Sequence, residues 1–335
     1  MVIPAVPHIA VAVMAKSRKL EQLLAQLEPV RRDPHAPEST IALQQILASK
    51  YSIAVAQAAK IIGEAERYDL IPDLVAAFDR CMTKPIETDP GCTAKLKIAD
   101  ALYRLEYSNE ALFLRGIRHI QQEPIWGGSE DTAAALRGTC ALGLVRMNYS
   151  QVMSELADLL ADPKQDARMA AARAIAYSGN LLAGVPLLRL RIQIGDTAPV
   201  LSDCFLALLQ LCPESSSLAL IRRFLTSDLN EVAEVAALAL GESRLPEAFP
   251  VLQNWWQRTR IPELRQTALT AIALLRQDDA IAFLLELIRE GEIPDAKSAI
   301  VALGIYHQDP DLWRRVCETT SQRAQSSLLA LLRSF

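Results

Sequence analysis

The sequence predicts an all-α fold, a solenoid of about eight stacked helix pairs, and three observations carry that expectation. The first is a short apolar triplet that keeps returning: Ile61-Ile62-Gly63, Ala101-Leu102-Tyr103, Ala141-Leu142-Gly143, Ala174-Ile175-Ala176, Ala207-Leu208-Leu209, Ala239-Leu240-Gly241, Ala271-Ile272-Ala273 and Ala302-Leu303-Gly304. The intervals are 40, 40, 33, 33, 32, 32 and 31 residues. At that period a unit cannot bury its own apolar face and must stack on its neighbours. The second observation is spacing: Leu156, Leu159 and Leu160 share one helix face, and Ala167, Ala171, Ala174 and Ile175 share another. The third is punctuation at matching places. Asp162, Asp196 and Asp228 fall where a second helix needs its free amides capped. Pro199, Pro262 and Pro294 fall in or near the first turn, where a missing N–H costs little.

Each element follows from these signals. A leading helix is expected over 16–28. Helix pairs are then expected at 39–50 with 53–66, 70–82 with 93–106, 109–122 with 131–147, and 150–161 with 165–178. The series continues at 182–193 with 199–211, 214–226 with 230–242, 246–258 with 262–275, and 279–290 with 294–305. Asn109, Gly179-Asn180, Pro213, Pro246 and Asp278-Asp279 supply turn chemistry between units. Residues 310–333 read as closing helices, since an end unit needs one water-compatible face. No segment alternates with period two, so almost no strand is expected. The domain reading is a disordered or mis-assigned N-terminus over 1–15, a leading helix and linker over 16–38, the repeats over 39–309 and a cap over 310–335.

Composition agrees with close helix packing and excludes several function classes. Hydrophobic residues make up 51% of the 335 and aromatics only 5%, so Ala, Leu, Ile and Val must build the core. The net charge of −4 is spread evenly between the two halves, which speaks against a nucleic-acid or membrane-surface module. Cys81, Cys92, Cys140, Cys204, Cys212 and Cys317 show no metal-ligand spacing and read as small hydrophobes in a reducing, cytoplasmic setting. The apolar stretch Val2–Val13 contains Pro4, Pro7 and His8, has no basic residue ahead of it and is too short to span a bilayer. Met14, which begins Met-Ala-Lys-Ser-Arg-Lys, is the more ordinary start.

The pattern resembles the HEAT-repeat family in its short bacterial form, also seen in phycobilisome-lyase-like repeat proteins. The residues that carry the resemblance are Asp162-Pro163, Ala167-Arg168, Ala171 and Ala174-Ile175-Ala176. Asp228, Val232, Ala236 and Ala239-Leu240-Gly241 match again, as do Leu264-Arg265, Ala268 and Ala271-Ile272-Ala273. The likeness covers about residues 39–305 and is strongest from 131 onward. It implies a right-handed superhelix of the armadillo type, with the second helices lining the inner face. Ala233 and Leu201 stand where Arg168, Arg265 and Lys297 place a basic group, so any polar ladder along the stack is interrupted.

The candidate site residues fall into two groups. Each of the first two intervals carries seven extra residues, and in both the surplus fits the loop inside a unit: 83–91 and 123–130. Loops in register on consecutive units should rise from one edge, and long loops on one face of a solenoid are often its binding face. Lys84, Ile86, Asp89 and Trp126 are the candidates there, Trp126 being the aromatic most suited to a partner. The alternative is that the loops fill a change in curvature and Trp126 packs onto Ile86. The second group is Arg168, Arg265 and Lys297 at equivalent positions of second helices, extended by Arg137 and Arg173. They form either a cationic line for an acidic peptide or structural bridges to neighbouring units. Trp255-Trp256, with Leu252, read as core, and Trp313 as part of the cap.

No catalytic grouping is legible. His8, His35, His119 and His307 are far apart, and Gly127-Gly128 lacks the Lys and strand context of a phosphate loop. No catalytic, metal or cofactor residue is therefore named, and the chain is not expected to be an enzyme. The leading expectation is a scaffold that binds another protein on its concave face or loop edge. The alternative, which the resemblance allows, is a subunit of a phycobilin lyase-type complex that attaches or detaches a chromophore. A HEAT-like DNA glycosylase is the weakest reading, since it needs a cationic groove that this charge balance does not provide.

Overall fold

The computed structural model describes residues 7–335, with side chains described from residue 18 onward. It divides into two compact units, Met1–Ser178 and Gly179–Phe335. The repeat period runs through that boundary without marking it. Of the N-terminal segment expected to be disordered or mis-assigned, residues 1–6 lie outside the described residues, while 7–15 belong to the first helix.

The first unit contains α1 (Pro7–Arg32), α2 (Pro37–Leu47), α3 (Ser52–Glu64), α4 (Ile71–Met82), the short α5 (Pro85–Thr88), α6 (Thr93–Arg104) and α7 (Glu110–Ile117). A hairpin of β1 (Gln122–Ile125) and β2 (Gly128–Asp131) follows, then α8 (Ala134–Arg146), α9 (Val152–Leu160) and α10 (Gln165–Ser178). The second helices form one layer, α3 on α6, α6 on α8 and α8 on α10. The first helices pack onto them, α4 on α6, α7 on α8 and α9 on α10.

The second unit repeats the plan. It contains α11 (Leu181–Ile194), α12 (Ala198–Leu211), α13 (Ser215–Arg222), α14 (Asn230–Glu242), α15 (Ala248–Arg258), α16 (Pro262–Leu274), α17 (Asp278–Glu290) and α18 (Ile293–Leu303). Helices α19 (Pro310–Arg323) and α20 (Ser326–Leu332) close it, with the Trp313 ring on that of Phe335 at 5.3 Å. Here α12, α14, α16 and α18 form the layer, and α11, α13, α15 and α17 pack onto their partners.

The triplet recurs because it is where consecutive second helices touch. Its middle residue is buried in every unit except at Leu142. At Gly63 and Gly241 its small residue is pressed against the triplet of the next unit, while Gly143 and Gly304 make room for the Phe113 and Phe335 rings. A Cβ at Gly63 would lie 2.9 Å from Ala101 Cα, and one at Gly241 would overlap the Ala271 carbonyl oxygen. Neighbouring backbones thus approach too closely for any side chain at these glycines, and burial of the flanking Ala, Leu and Ile holds them there.

Several second helices also end alike. Glu66, Glu106 and Asn148 adopt the left-handed conformation just past α3, α6 and α8. The following amides then reach back, Arg67 N to Ile62 O at 3.0 Å, Tyr107 N to Leu102 O at 2.9 Å and Tyr149 N to Leu144 O at 3.1 Å. This closes the free carbonyls of the last turn.

Pro199, Pro262 and Pro294 occupy the first turns of α12, α16 and α18, as expected. The expected Asp caps take a different form. Asp162 Oδ1 accepts from the Lys164 amide at 2.7 Å and Asp196 Oδ1 from Thr197 N at 2.7 Å, both ahead of the helix proper. Asp228 is exposed, two residues before Asn230 opens α14. Trp255 and Leu252 are buried as expected, whereas Trp256 is half-buried, its ring edge-on to Phe283 at 5.4 Å. The first helix expected over 109–122 stops at Ile117, and its partner starts at Ala134, because the intervening chain folds into the hairpin.

Candidate interaction site

Both surplus loops are ordered, and they join at their bases. The first holds α5 and a 3-10 turn over Pro90–Cys92; the second is the hairpin. Gly91 N donates to Glu123 Oε1 at 2.7 Å, and Gln121 Nε2 donates to the Asp89 carbonyl at 2.9 Å. The two loops therefore share one edge of the first unit, as their register predicts.

Asp89 and Arg137 anchor this edge from inside. The Asp89 carboxylate accepts from the amides of Ala94 and Lys95, each at 2.9 Å, and pairs with Lys95 Nζ at 3.2 Å. Neither side chain is exposed. Arg137, only 2% exposed, pairs with Asp131 Oδ2 at 2.8 Å and Asp162 Oδ2 at 2.8 Å, and donates to the His119 carbonyl at 2.9 Å. Two candidates named for partner binding are thus committed to holding the loops.

The electrostatics around the hairpin base favour one charge state for each group near neutral pH. Burial alone would raise the Asp131 carboxyl, but the Gln121 and Ala133 amides and Arg137 outweigh it and hold the pKa below the usual range. For Glu123, bonds from Gln121, the Gly91 amide and Thr132 likewise outweigh burial and lower the pKa. Burial lowers the pKa of His119, favouring the neutral ring. Burial pushes the Cys81 thiol to about 11 and Cys92 to about 12, so neither offers a thiolate nucleophile near neutrality.

Above that base the hairpin stands clear. Ile125 pairs with Gly128, leaving a two-residue turn of Trp126 and Gly127, and Gly127 supplies a φ of +87°. A Cβ at Gly127 or Gly128 would meet nothing within 4 Å. Trp126 is 101% exposed, so it does not pack onto Ile86 or any other described residue. Ile125, Ile86 and Ile120 are also exposed, and Lys84, in the left-handed conformation, pairs at 3.6 Å with Glu87 in solvent. Ile125 and Ile120 were missed in the sequence because an exposed Ile in a loop has no periodic signature.

The basic line is not one line. Arg265 chelates Asp295 of the next pair at 2.8 and 2.9 Å, donates to the Trp256 and Thr259 carbonyls, and stacks 4.5 Å from the Trp256 ring. Arg168 is half-buried and donates to the carbonyls of Asp162 and Pro163, while Arg173 and Lys297 are exposed. Arg137 and Arg265 follow the bridging alternative. Among the described residues, no three His, Cys, Asp or Glu side chains converge as a metal site, and no helix is long and apolar enough to cross a membrane.

A family model for HEAT repeats matches residues 217–304. No curated protein matches the sequence. Among solved structures, the chain is similar to the complex of CpcE and CpcF of phycocyanin lyase from Nostoc sp. PCC7120, at 17% identity and TM-score 0.36. That match covers 84% of this chain and 93% of that one. An engineered protein matches at 16% identity and TM-score 0.35, covering 94% and 93%. Human deoxyhypusine hydroxylase in complex with glycerol matches at 14% identity and TM-score 0.28, covering 89% and 99%.

Proposed function

We propose that this chain, whose residues 217–304 are HEAT repeats, is a non-catalytic scaffold that binds another protein through the hairpin of its first unit. The observation that carries the reading is Trp126, fully exposed at the tip of a two-residue turn. A two-stranded hairpin is marginally stable alone, and an exposed Trp gains nothing from this fold. Yet buried ion pairs and the carboxylate of Glu123 hold the hairpin's base in one geometry. An aromatic anchor on a backbone fixed in that way has only its own side-chain freedom to lose when it fills a partner's pocket. Ile125 and Ile86 extend the apolar contact, and Lys84 adds charge at its margin.

Affinity capture with the full chain tests this reading. Trp126→Ala should abolish recovery of a partner that the unaltered chain retains, as should replacing only the tip, 124–129, by a shorter turn that keeps Glu123 and Asp131, with the helical circular dichroism unchanged. A truncated anchor of this type costs about 2 kcal/mol or more of binding. Equal recovery by all three chains would move the site to the second helices, tested at the exposed Arg173 in the first unit and Lys297 in the second separately.

A further inference from the structure

The second unit contains a cationic pocket that belongs to neither candidate group. It is a cleft of about 600 Å³ between α13, the 3-10 turn that follows it and α15. Arg222, Arg223 and Arg258 line it, Pro250, Val251 and Trp255 contribute apolar surface, and no Asp or Glu is among the described residues that line it.

Arg67, Arg118, Arg137, Arg191 and Arg265 are each paired with a carboxylate. Arg222, Arg223 and Arg258 are exposed and make no such pair. They also converge, because the last turns of α13 and α15 lie on the same cleft. The negative ends of those helices favour a cation at each position, but three unpaired guanidinium groups on one pocket still repel one another. An anion relieves that repulsion, and the planar guanidinium matches a carboxylate in a two-bonded fork. The volume is in the range of ligand pockets and too large for one small anion to fill. The apolar floor asks for something other than charge.

We propose that this pocket binds an acidic peptide segment of a partner protein, with carboxylates on Arg222, Arg223 and Arg258 and one apolar side chain against Val251 and Trp255. Duplex nucleic acid fits less well, because its affinity comes from many phosphate contacts, and this is a small patch on a chain of net charge −4. The inference does not depend on the hairpin, which belongs to the other unit.

Fluorescence anisotropy of a labelled peptide, with two glutamates on each side of one leucine, tests the pocket in the full chain. Binding should weaken at least about tenfold in Arg222→Glu/Arg258→Glu, and also in the gentler Arg222→Gln/Arg258→Gln if charge reversal disturbs folding. It should weaken as salt is raised, and on changing the peptide's leucine to serine. Trp126→Ala should leave it unchanged, which separates this result from the hairpin reading. No binding by the unaltered chain, or equal binding by the double variants, overturns the proposal. So does displacement by inorganic phosphate or by a single-stranded oligonucleotide at matched charge, which would mark a general anion site.

Discussion

At Gly241 the absence of one carbon sets the distance between two helices. A Cβ there would overlap the Ala271 carbonyl oxygen, and backbone does not move aside as a flexible side chain does. Gly241→Ala should therefore destabilise the second unit by about 1–3 kcal/mol, although alanine favours helices elsewhere. Urea unfolding measures this, and an unchanged midpoint would mean α14 and α16 are further apart than described. Arg137 gives a second test. Removing it leaves Asp131 and Asp162 buried without their common cation, and Arg137→Ala should cost about 3–5 kcal/mol, read by the same titration. A third concerns pH. The fold lowers the pKa of His119, so the unfolded chain binds that proton first, and stability should decline as pH falls below about 6.5. Asp131 and Glu123 also have lowered pKa values. Their contribution is present above the unfolded carboxylate range and should be lost as pH falls below about 4. Melting temperatures across that range should decline in two stages, and His119→Gln should lose the first.

At the scale of the element, what was legible depended on periodicity. Ala239-Leu240-Gly241 and its equivalents placed the second helices to within a few residues, because one face of a helix repeats every three to four positions. The hairpin was not legible. Strands of four residues are too short to show alternation, and Pro124, Gly127 and Gly128 signalled only a turn. The burial of Asp89 and Arg137 was not legible either, since their partners, Lys95, Asp131 and Asp162, are chosen by packing and not by spacing. The left-handed residues past α3 and α6 are a further case: Glu66 and Glu106 stand where glycine is preferred. Glu66→Gly and Glu106→Gly should each stabilise the first unit by roughly 0.5–1 kcal/mol, measurable as a raised melting temperature. A loss of stability would mean their side chains do more than tolerate the turn.

For the whole molecule, a repetitive framework of helix pairs carries one irregular feature, the hairpin of the first unit. The framework follows from stacked triplets. The base of the hairpin ties into those stacks through Asp131, but its tip does not: Trp126 touches no part of the described chain. A photo-crosslinking amino acid at position 126, compared with one at the exposed Lys297 of α18, tests that separation in the cell that makes the protein. The account predicts a discrete protein adduct from position 126 and none from 297. An adduct from 297 alone would contradict it and place the partner on the second helices.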